Sequence, residues 1–215
     1  MLGGSAFLLP LAAVAALVDW WAVAQGRDRV ERLAKPVTMA ALVGVSVALG
    51  HPDGDVRTWL VVGAVFGLLG DVALLRATET AFMAGLGAFA VGHLAYAVAA
   101  VRVGFDVGHA LPGLGFMIVL LGFRFLTRIL PGAARHGGTV LGVAVGVYAV
   151  VISTMVVTAW GTGVAVAALG AMAFAVSDWV LGHERFVGPL PGGRLVVMVP
   201  YHVGQALLIV GLATA

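Results

Sequence analysis

The sequence contains no cysteine and little charge, and both deficits narrow what the protein can be. Without cysteine, disulfide bonds, thiolate metal sites and a cysteine nucleophile are all excluded. Charged residues occupy 10% of the 215 positions, whereas a soluble domain carries about 25%. The net charge of +2 is too small to indicate a nucleic-acid partner. No lysine or arginine precedes Phe7, so we do not expect a cleaved signal peptide.

Apolar residues and glycine are abundant instead. Hydrophobic residues make up 61% of the chain, and its 31 glycines suit the close helix contacts that small residues allow in lipid. These values predict an all-α, polytopic helical bundle in a membrane, with residues 1–215 forming a single transmembrane domain. A spanning helix needs about 20 apolar residues. Eight segments approach that length, namely 6–25, 36–50, 58–75, 80–101, 110–126, 139–160, 162–182 and 194–213.

Turn signals mark several boundaries of these segments. We expect the second helix to begin at Lys35-Pro36, because proline is well tolerated in the first turn of a helix. It should end at the turn cluster of residues 50–55. The sixth and seventh helices should meet in a tight hairpin at Gly161-Thr162-Gly163.

The basic residues predict the orientation of the bundle. If both termini lie outside, ten of the twelve lysines and arginines fall on the cytoplasmic side, leaving Arg57 and Arg102 outside. Such a distribution is what the positive-inside rule requires. We therefore expect a multi-pass protein of the inner or cytoplasmic membrane with its N- and C-termini outside.

Two aspartates lie within the predicted spans. Asp71 follows Gly67-Leu68-Leu69-Gly70, and Asp178 lies in the segment 174–180. A charge at the bilayer centre costs about 2.5–3.5 kcal/mol, so such a residue normally faces a protein interior or a wet cavity and has a function. Each lies about four residues before the inner end of its helix, which places both carboxylates about 6–8 Å inside the cytoplasmic boundary. We predict that the third and seventh helices bring Asp71 and Asp178 together.

Other polar residues are predicted to lie in the same half of the bundle. Phe82, Phe89, His93 and Tyr96 share one face of the fourth helix, because successive residues are 7, 4 and 3 positions apart. Tyr201 and Gln205 are four positions apart and share a face of the last helix. The predicted polar column comprises Lys35, Asp71, His93, Tyr96, Ser177, Asp178, Tyr201 and Gln205, with Tyr148 midway along the sixth helix.

Several polar residues also have a simpler structural interpretation. A histidine or tyrosine in a membrane helix is more often a hydrogen-bond partner than a catalyst. Lys35 equally suits snorkelling to the interface, and His202 suits a position among lipid headgroups. Asp19 precedes Trp20-Trp21, a pattern that favours an interfacial anchor.

Four chemistries are considered for the buried carboxylates and their polar neighbours. In general acid–base hydrolysis, as in glycosidases, one carboxyl group supplies a proton and the other activates water. A zinc site built from both aspartates and His93 or His202 is less favoured, because HExxH and HxxxH spacings are absent. Ser177 lacks a GxSxG setting for nucleophilic catalysis. A proton-coupled carrier or channel would use the same acids as a relay, although no inverted repeat is visible.

In the order and spacing of these residues, the sequence resembles the YhhN-like family of integral membrane proteins, the lysoplasmalogenases. The resemblance covers most of the chain. It rests on a series of short motifs distributed over the eight predicted helices. They are Lys35-Pro36, residues 70–75 with Asp71, Phe89 with His93 and Tyr96, Phe174 with Ser177-Asp178, and Tyr201 with Gln205.

The resemblance implies an eight-helix enzyme that hydrolyses the vinyl ether bond of lysoplasmalogens. The products would be a fatty aldehyde and glycerophosphoethanolamine or glycerophosphocholine. It implies no cofactor and no obligate protein partner; a lysophospholipid substrate and membrane lipids are the expected partners.

Under that interpretation, one of Asp71 and Asp178 donates the proton, and the other activates water or stabilises the cation. Lys35 would contact the substrate phosphate. The remaining expected substrate-binding residues are His93, Tyr96, Tyr148, Ser177, Tyr201 and Gln205.

Overall fold

The structure, a computed structural model, describes the backbone of residues 2–215 and the side chains from Phe7 onward. Over this range it is helical and has no strand, so the predicted all-α class is confirmed. The eight α-helices are α1 (Leu2–Ala24), α2 (Asp28–Leu49), α3 (Gly54–Leu74), α4 (Glu79–Val103), α5 (Val107–Gly122), α6 (Leu130–Gly161), α7 (Ala165–Phe186) and α8 (Gly193–Ala213). A short π-helix, Phe125–Ile129, joins α5 to α6.

Seven helical stretches in the described range are long and apolar enough to cross a membrane. The longest, Val107–Gly161, contains 55 residues. At 1.5 Å per residue it would extend for about 80 Å, far beyond the roughly 30 Å of a hydrocarbon core. The helical path breaks at Arg124, which has a left-handed backbone, and again at Gly137 and Gly138. These breaks divide the stretch into α5 and α6, and the chain is a multi-pass membrane protein whose count of spans is close to the predicted eight.

The predicted start of the second helix is wrong. Helix α2 begins at Asp28, and Pro36 lies inside it rather than in its first turn. The additional turns carry Asp28, Glu31 and other charged residues, and Arg32 donates a hydrogen bond to the carbonyl of Asp28. A search for apolar length identifies the lipid-facing part of a helix and misses a polar extension into water. The hairpin between α6 and α7 is confirmed, and Gly163 adopts the positive φ of 73° that its turn requires.

Helices α7 and α8 pack so closely that their backbones touch. A Cβ atom at Gly170 would lie 2.5 Å from the backbone nitrogen of Leu208, and one at Gly204 would lie 2.8 Å from the Gly170 carbonyl oxygen. Close approach through small residues is the usual way in which helices associate in lipid. This contact matters for the site, since α7 carries Asp178 and α8 carries Tyr201.

We expect Gly170→Ala to destabilise the protein by about 1–3 kcal/mol, the usual cost of overpacking. The added methyl group would meet backbone atoms, which cannot rotate away as a side chain can. Gly87→Ala is the matched control, because a Cβ atom at Gly87 meets nothing within 4 Å. Thermal unfolding in detergent should show a lower midpoint for Gly170→Ala and no loss for Gly87→Ala. Equal midpoints for the two variants would contradict the described α7–α8 contact.

Candidate active site

A polar cavity opens at the end of the bundle where α3 and α7 end and α2 and α8 begin. It has a volume of about 460 Å³ and is lined by both Asp71 and Asp178. The Asp71 side chain is fully buried, whereas the Asp178 side chain is 15% exposed. The remaining polar lining residues are Glu31, Lys35, Arg76, Ser177, Glu184, Arg185, Arg194 and Tyr201. Two carboxylates from separate helices therefore face one space.

Asp71 lies in a compact cluster with residues of α2 and α8. The Lys35 Nζ atom lies 3.1 Å from Asp71 Oδ1, and the Tyr201 hydroxyl donates a 2.8 Å hydrogen bond to Asp71 Oδ2. The Lys35–Asp71 contact is close enough for an ion pair. The Lys35 side chain is 8% exposed, so it does not snorkel to the interface.

Asp178 lies in a second cluster with residues of α4 and α6. The Tyr148 hydroxyl donates a short hydrogen bond to Asp178 Oδ2. The His93 Nε2 atom lies 2.8 Å from the Tyr148 oxygen and 3.5 Å from Asp178 Oδ2. Because Tyr148 gives its proton to Asp178, His93 must donate through Nε2. The result is a directed chain of hydrogen bonds from His93 through Tyr148 to Asp178.

Two phenylalanines connect the clusters. Phe174 packs edge-on against both the His93 ring at 4.6 Å and the Tyr201 ring at 5.2 Å. Phe89 contacts the same two rings, and it packs edge-on against Phe174 at 6.2 Å. The described side chains show no hydrogen bond between the two carboxylates. Phe89 and Phe174 therefore contact a member of each cluster, His93 in one and Tyr201 in the other.

A narrow apolar pocket adjoins the polar cavity. It is lined mainly by aliphatic and aromatic side chains of α4–α7, and Tyr148 and Asp178 are among the few polar residues in its wall. The residues shared by the pocket and the cavity are Leu74, Phe82, Phe89, Asp178 and Leu181. Asp178 therefore lies at the boundary between the polar cavity and the apolar pocket, whereas Asp71 lines only the polar cavity.

Three other predicted site residues make structural hydrogen bonds. The Tyr96 hydroxyl donates to Gln205 Oε1 at 2.7 Å; both residues are buried and neither lines the polar cavity. The Ser177 hydroxyl donates to the Val197 carbonyl at 2.8 Å, which links α7 to α8. Ser177 nevertheless lines the cavity. A substrate-binding role for these three residues stays a prediction.

The structural interpretations of Asp19 and His202 are both wrong. Asp19 is completely buried, and its Oδ2 atom lies 3.9 Å from His202 Nδ1. That nitrogen accepts a 3.1 Å hydrogen bond from the Trp20 indole. Asp19 is therefore not an interfacial anchor, and His202 does not lie among headgroups. The packing of α1 against α8, which buries this pair, has no signature in the sequence.

The sequence analysis also missed the charged residues around the cavity opening. Arg185 lies seven residues after Asp178 and four residues after Leu181, so the three share one face of α7. This spacing was the signal that could have identified Arg185. Among residues 7–215, no group of three or more histidine, aspartate or glutamate side chains is arranged to hold a metal ion.

Comparison with known proteins identifies the family of the chain. The model of the YhhN family matches residues 30–212. The chain belongs to the YhhN family. The matched range contains Lys35, Asp71, Tyr148, Asp178 and Tyr201, that is, both clusters around the cavity. Asp19 lies outside it. The family predicted from the sequence is thus confirmed.

Named relatives of this YhhN protein are lysoplasmalogenases. It is 32% identical over 177 residues to lysoplasmalogenase TMEM86A of Bos taurus, covering 77% of this chain and 68% of the relative. It is 31% identical to lysoplasmalogenase TMEM86B of Homo sapiens, covering 73% and 64%. It is 33% identical to a lysoplasmalogenase of Mycobacterium bovis, covering 70% and 58%. These relatives support the prediction of an enzyme. No solved structure matches the chain significantly.

Proposed function

We propose that this YhhN protein hydrolyses the vinyl ether bond of lysoplasmalogens, releasing a fatty aldehyde and a glycerophospho-alcohol. The names of its relatives support this activity. The structural observation that carries the proposal is the position of Asp178 between a charged cavity and an apolar pocket. A lysoplasmalogen has a charged headgroup and one apolar chain, and its vinyl ether lies between them.

Hydrolysis of a vinyl ether needs an acid and a water molecule. Protonation of the β-carbon produces an oxocarbenium ion. Water adds to the cationic carbon and loses a proton, which gives a hemiacetal. The hemiacetal then collapses: its hydroxyl proton is lost, the bond to the glycerol oxygen breaks, and that oxygen gains a proton. The sum is one water consumed, one aldehyde formed and one glycerol hydroxyl released.

We assign proton donation to Asp178. It lines the apolar pocket together with Tyr148, where the first carbons of the alkenyl chain would lie. A carboxyl group there reaches the carbon that must be protonated. The hydrogen bonds from His93 through Tyr148 orient this carboxyl group and offer a path for its reprotonation.

We assign water activation to Asp71. Lys35 and Tyr201 both present positive charge to its side chain, Lys35 through the ion pair and Tyr201 through the donated hydrogen bond. A carboxylate in the same cavity can accept the proton of the attacking water and stabilise the cation electrostatically. The two aspartates then have separate roles because their partners differ.

Tyr148→Phe should lower kcat about 10- to 100-fold. It removes the hydrogen bond that stabilises the Asp178 carboxylate formed as the proton is delivered, and a hydrogen bond to a charged group is worth about 1.5–3 kcal/mol. Steady-state aldehyde release in detergent measures the effect. Tyr96→Phe is the matched control, because the Tyr96 hydroxyl donates its hydrogen bond to Gln205 outside the cavity. We expect that change to lower the unfolding temperature with little effect on kcat; an unchanged rate in Tyr148→Phe would contradict the proposed chain.

The reaction itself is tested with purified protein and 1-alkenyl-glycerophosphoethanolamine in D₂O, with the aldehyde trapped at once by reduction. We expect one deuterium on the carbon next to the former aldehyde carbon, because the β-carbon takes its proton from an exchangeable carboxyl group. The 1-alkyl analogue, which has no double bond to protonate, should release no product. Failure to release aldehyde would contradict the proposal, and solute or proton flux in liposomes without turnover would favour a carrier.

We also propose that the cavity opens toward the cytoplasm. The ends of α3 and α7 and the starts of α2 and α8 carry Arg76, Arg185, Arg194 and the arginines around the start of α2. The opposite end carries Arg57 and Arg102, the latter paired with Asp55. The positive-inside rule therefore places the cavity opening in the cytoplasm, with both termini outside.

A further inference from the structure

The four cations that line the polar cavity differ in whether they have a partner. Lys35 is paired with Asp71, and Arg194 contacts both Glu31 and Asp28. Arg76 and Arg185 also line the cavity. Within the described part of the chain, no carboxylate lies within 4.0 Å of either of these guanidinium groups. Arg76 and Arg185 therefore face the cavity without a carboxylate partner, whereas the charges of Lys35 and Arg194 are neutralised by the carboxylates they contact.

The guanidinium group of Arg185 is held in place without using its hydrogen-bond donors. It lies over the Phe82 ring at 4.0 Å and near the Phe186 ring at 5.9 Å. Phe82 lines both the polar cavity and the apolar pocket. A stacked guanidinium group keeps its N–H groups available at its edge, in the fork geometry that suits a phosphate.

The spacing along α7 relates Arg185 to the proposed proton donor. Asp178, Leu181 and Arg185 all line the cavity from one face of the helix. Seven residues separate Asp178 from Arg185, which corresponds to two helical turns, or about 10 Å. In a lysoplasmalogen the vinyl ether and the phosphate lie at opposite ends of the glycerol unit. A long side chain in a helix leans toward the helix N-terminus, which for Arg185 is the direction of Asp178.

We propose that Arg185, assisted by Arg76, binds the phosphate group of a lysophospholipid headgroup and thereby sets the position of the vinyl ether at Asp178. The identity of the lipid rests on the proposed function. This assignment replaces the expectation that Lys35 contacts the phosphate, since Lys35 is buried and already paired with Asp71. Glu184 lines the same cavity, but its Oε1 atom accepts a 2.6 Å hydrogen bond from the Leu190 amide.

Ligand binding tests this inference without requiring turnover. The probes are 1-alkyl-glycerophosphoethanolamine, which carries the phosphate, and 1-alkylglycerol, which lacks it; neither has a vinyl ether. We expect wild-type protein to bind the phosphate-bearing probe more tightly. Arg185→Gln should weaken that binding about 10- to 100-fold, as expected for a lost charge-assisted contact, and leave the affinity for 1-alkylglycerol unchanged. Arg76→Gln should have a smaller effect of the same kind.

Arg128→Gln is the matched control, because Arg128 is exposed on the π-helix and does not line the cavity. It should change neither affinity. Equal losses in Arg128→Gln and Arg185→Gln would indicate a general effect of surface charge and would overturn the inference. Binding of the phosphate-bearing probe that is unaffected by Arg185→Gln would also overturn it.

The inference and the proposed function can fail independently. If wild-type protein shows the Arg185-dependent preference but releases no aldehyde from the alkenyl substrate, the proposed function fails and the phosphate site stands. If aldehyde is released while both probes bind equally well, the phosphate site fails and the proposed function stands.

Discussion

Asp178→Asn should reduce aldehyde release by about 10²- to 10⁴-fold, the usual contribution of a general acid. Asparagine has nearly the shape of aspartate and can still accept the hydrogen bond from Tyr148. It cannot deliver an acidic proton to carbon. We therefore expect a protein with wild-type thermal stability and nearly no turnover. Aldehyde production from an alkenyl lysophospholipid in detergent, with unfolding followed in parallel, measures both quantities.

Asp55→Asn is a suitable control for this variant. Asp55 lies at the opposite end of the bundle, where it pairs with Arg102 and is 61% exposed. Exposed ion pairs contribute little to stability, so both the rate and the unfolding temperature should stay close to wild type. Retention of substantial activity by folded Asp178→Asn would show that another group protonates the substrate.

Lys35→Met should lower the free energy of unfolding by about 3–5 kcal/mol, the usual cost of removing one partner of a buried ion pair. Asp71 is completely buried, and without Lys35 its negative charge would have no compensating cation. Adding Asp71→Asn should restore most of the lost stability, because the double variant has no buried charge at this position. Unfolding in detergent of the wild type, both single variants and the double variant gives the coupling energy directly.

The comparison for this pair is again Arg102 and Asp55, which are 53% and 61% exposed. Arg102→Met should cost no more than about 1 kcal/mol. The proposed stabilisation by the Lys35–Asp71 ion pair would be contradicted if Lys35→Met lowered the free energy of unfolding no more than Arg102→Met. It would also be contradicted if adding Asp71→Asn restored none of the lost stability.

Apolar length was sufficient to predict the helices, because the bilayer requires each crossing to be long and nearly uncharged. The same criterion failed where a helix leaves the membrane. Residues 28–35 continue α2 as a charged extension, and no hydropathy pattern separates such an extension from a loop. The sequence likewise did not indicate the left-handed backbone at Arg124 or the π-helix that follows it.

The sequence predicted the parts of the candidate site that depend only on the position of a residue along its own helix. Asp71 and Asp178 stand out because each is a carboxylate about four residues before the end of its predicted span. That prediction is wrong in detail for Asp178, since α7 continues to Phe186 and Asp178 lies eight residues before its end. Their partners depend on which helices are neighbours, and the sequence does not specify this. The pairing of Lys35 with Asp71 needs α2 beside α3, and the bond from Tyr148 to Asp178 needs α6 beside α7.

The contrast between Asp19 and Asp71 shows the same limit. Asp19 precedes two tryptophans, so its sequence setting indicates the interface, yet its side chain is completely buried and lies near His202 of α8. Arg185 was missed for a related reason. Its position seven residues after Asp178 was readable, but its role depends on the stacking of its guanidinium group over Phe82 on α4.

The central claim is that Asp71 and Asp178 act together on one substrate in one cavity. The most direct test is the rate of aldehyde release for Asp71→Asn, Asp178→Asn and the variant carrying both changes. Because acid and base serve a single reaction, the double variant should be no slower than the slower single variant. Full activity in either folded single variant, or losses that multiply in the double variant as they do for independent sites, would contradict the claim.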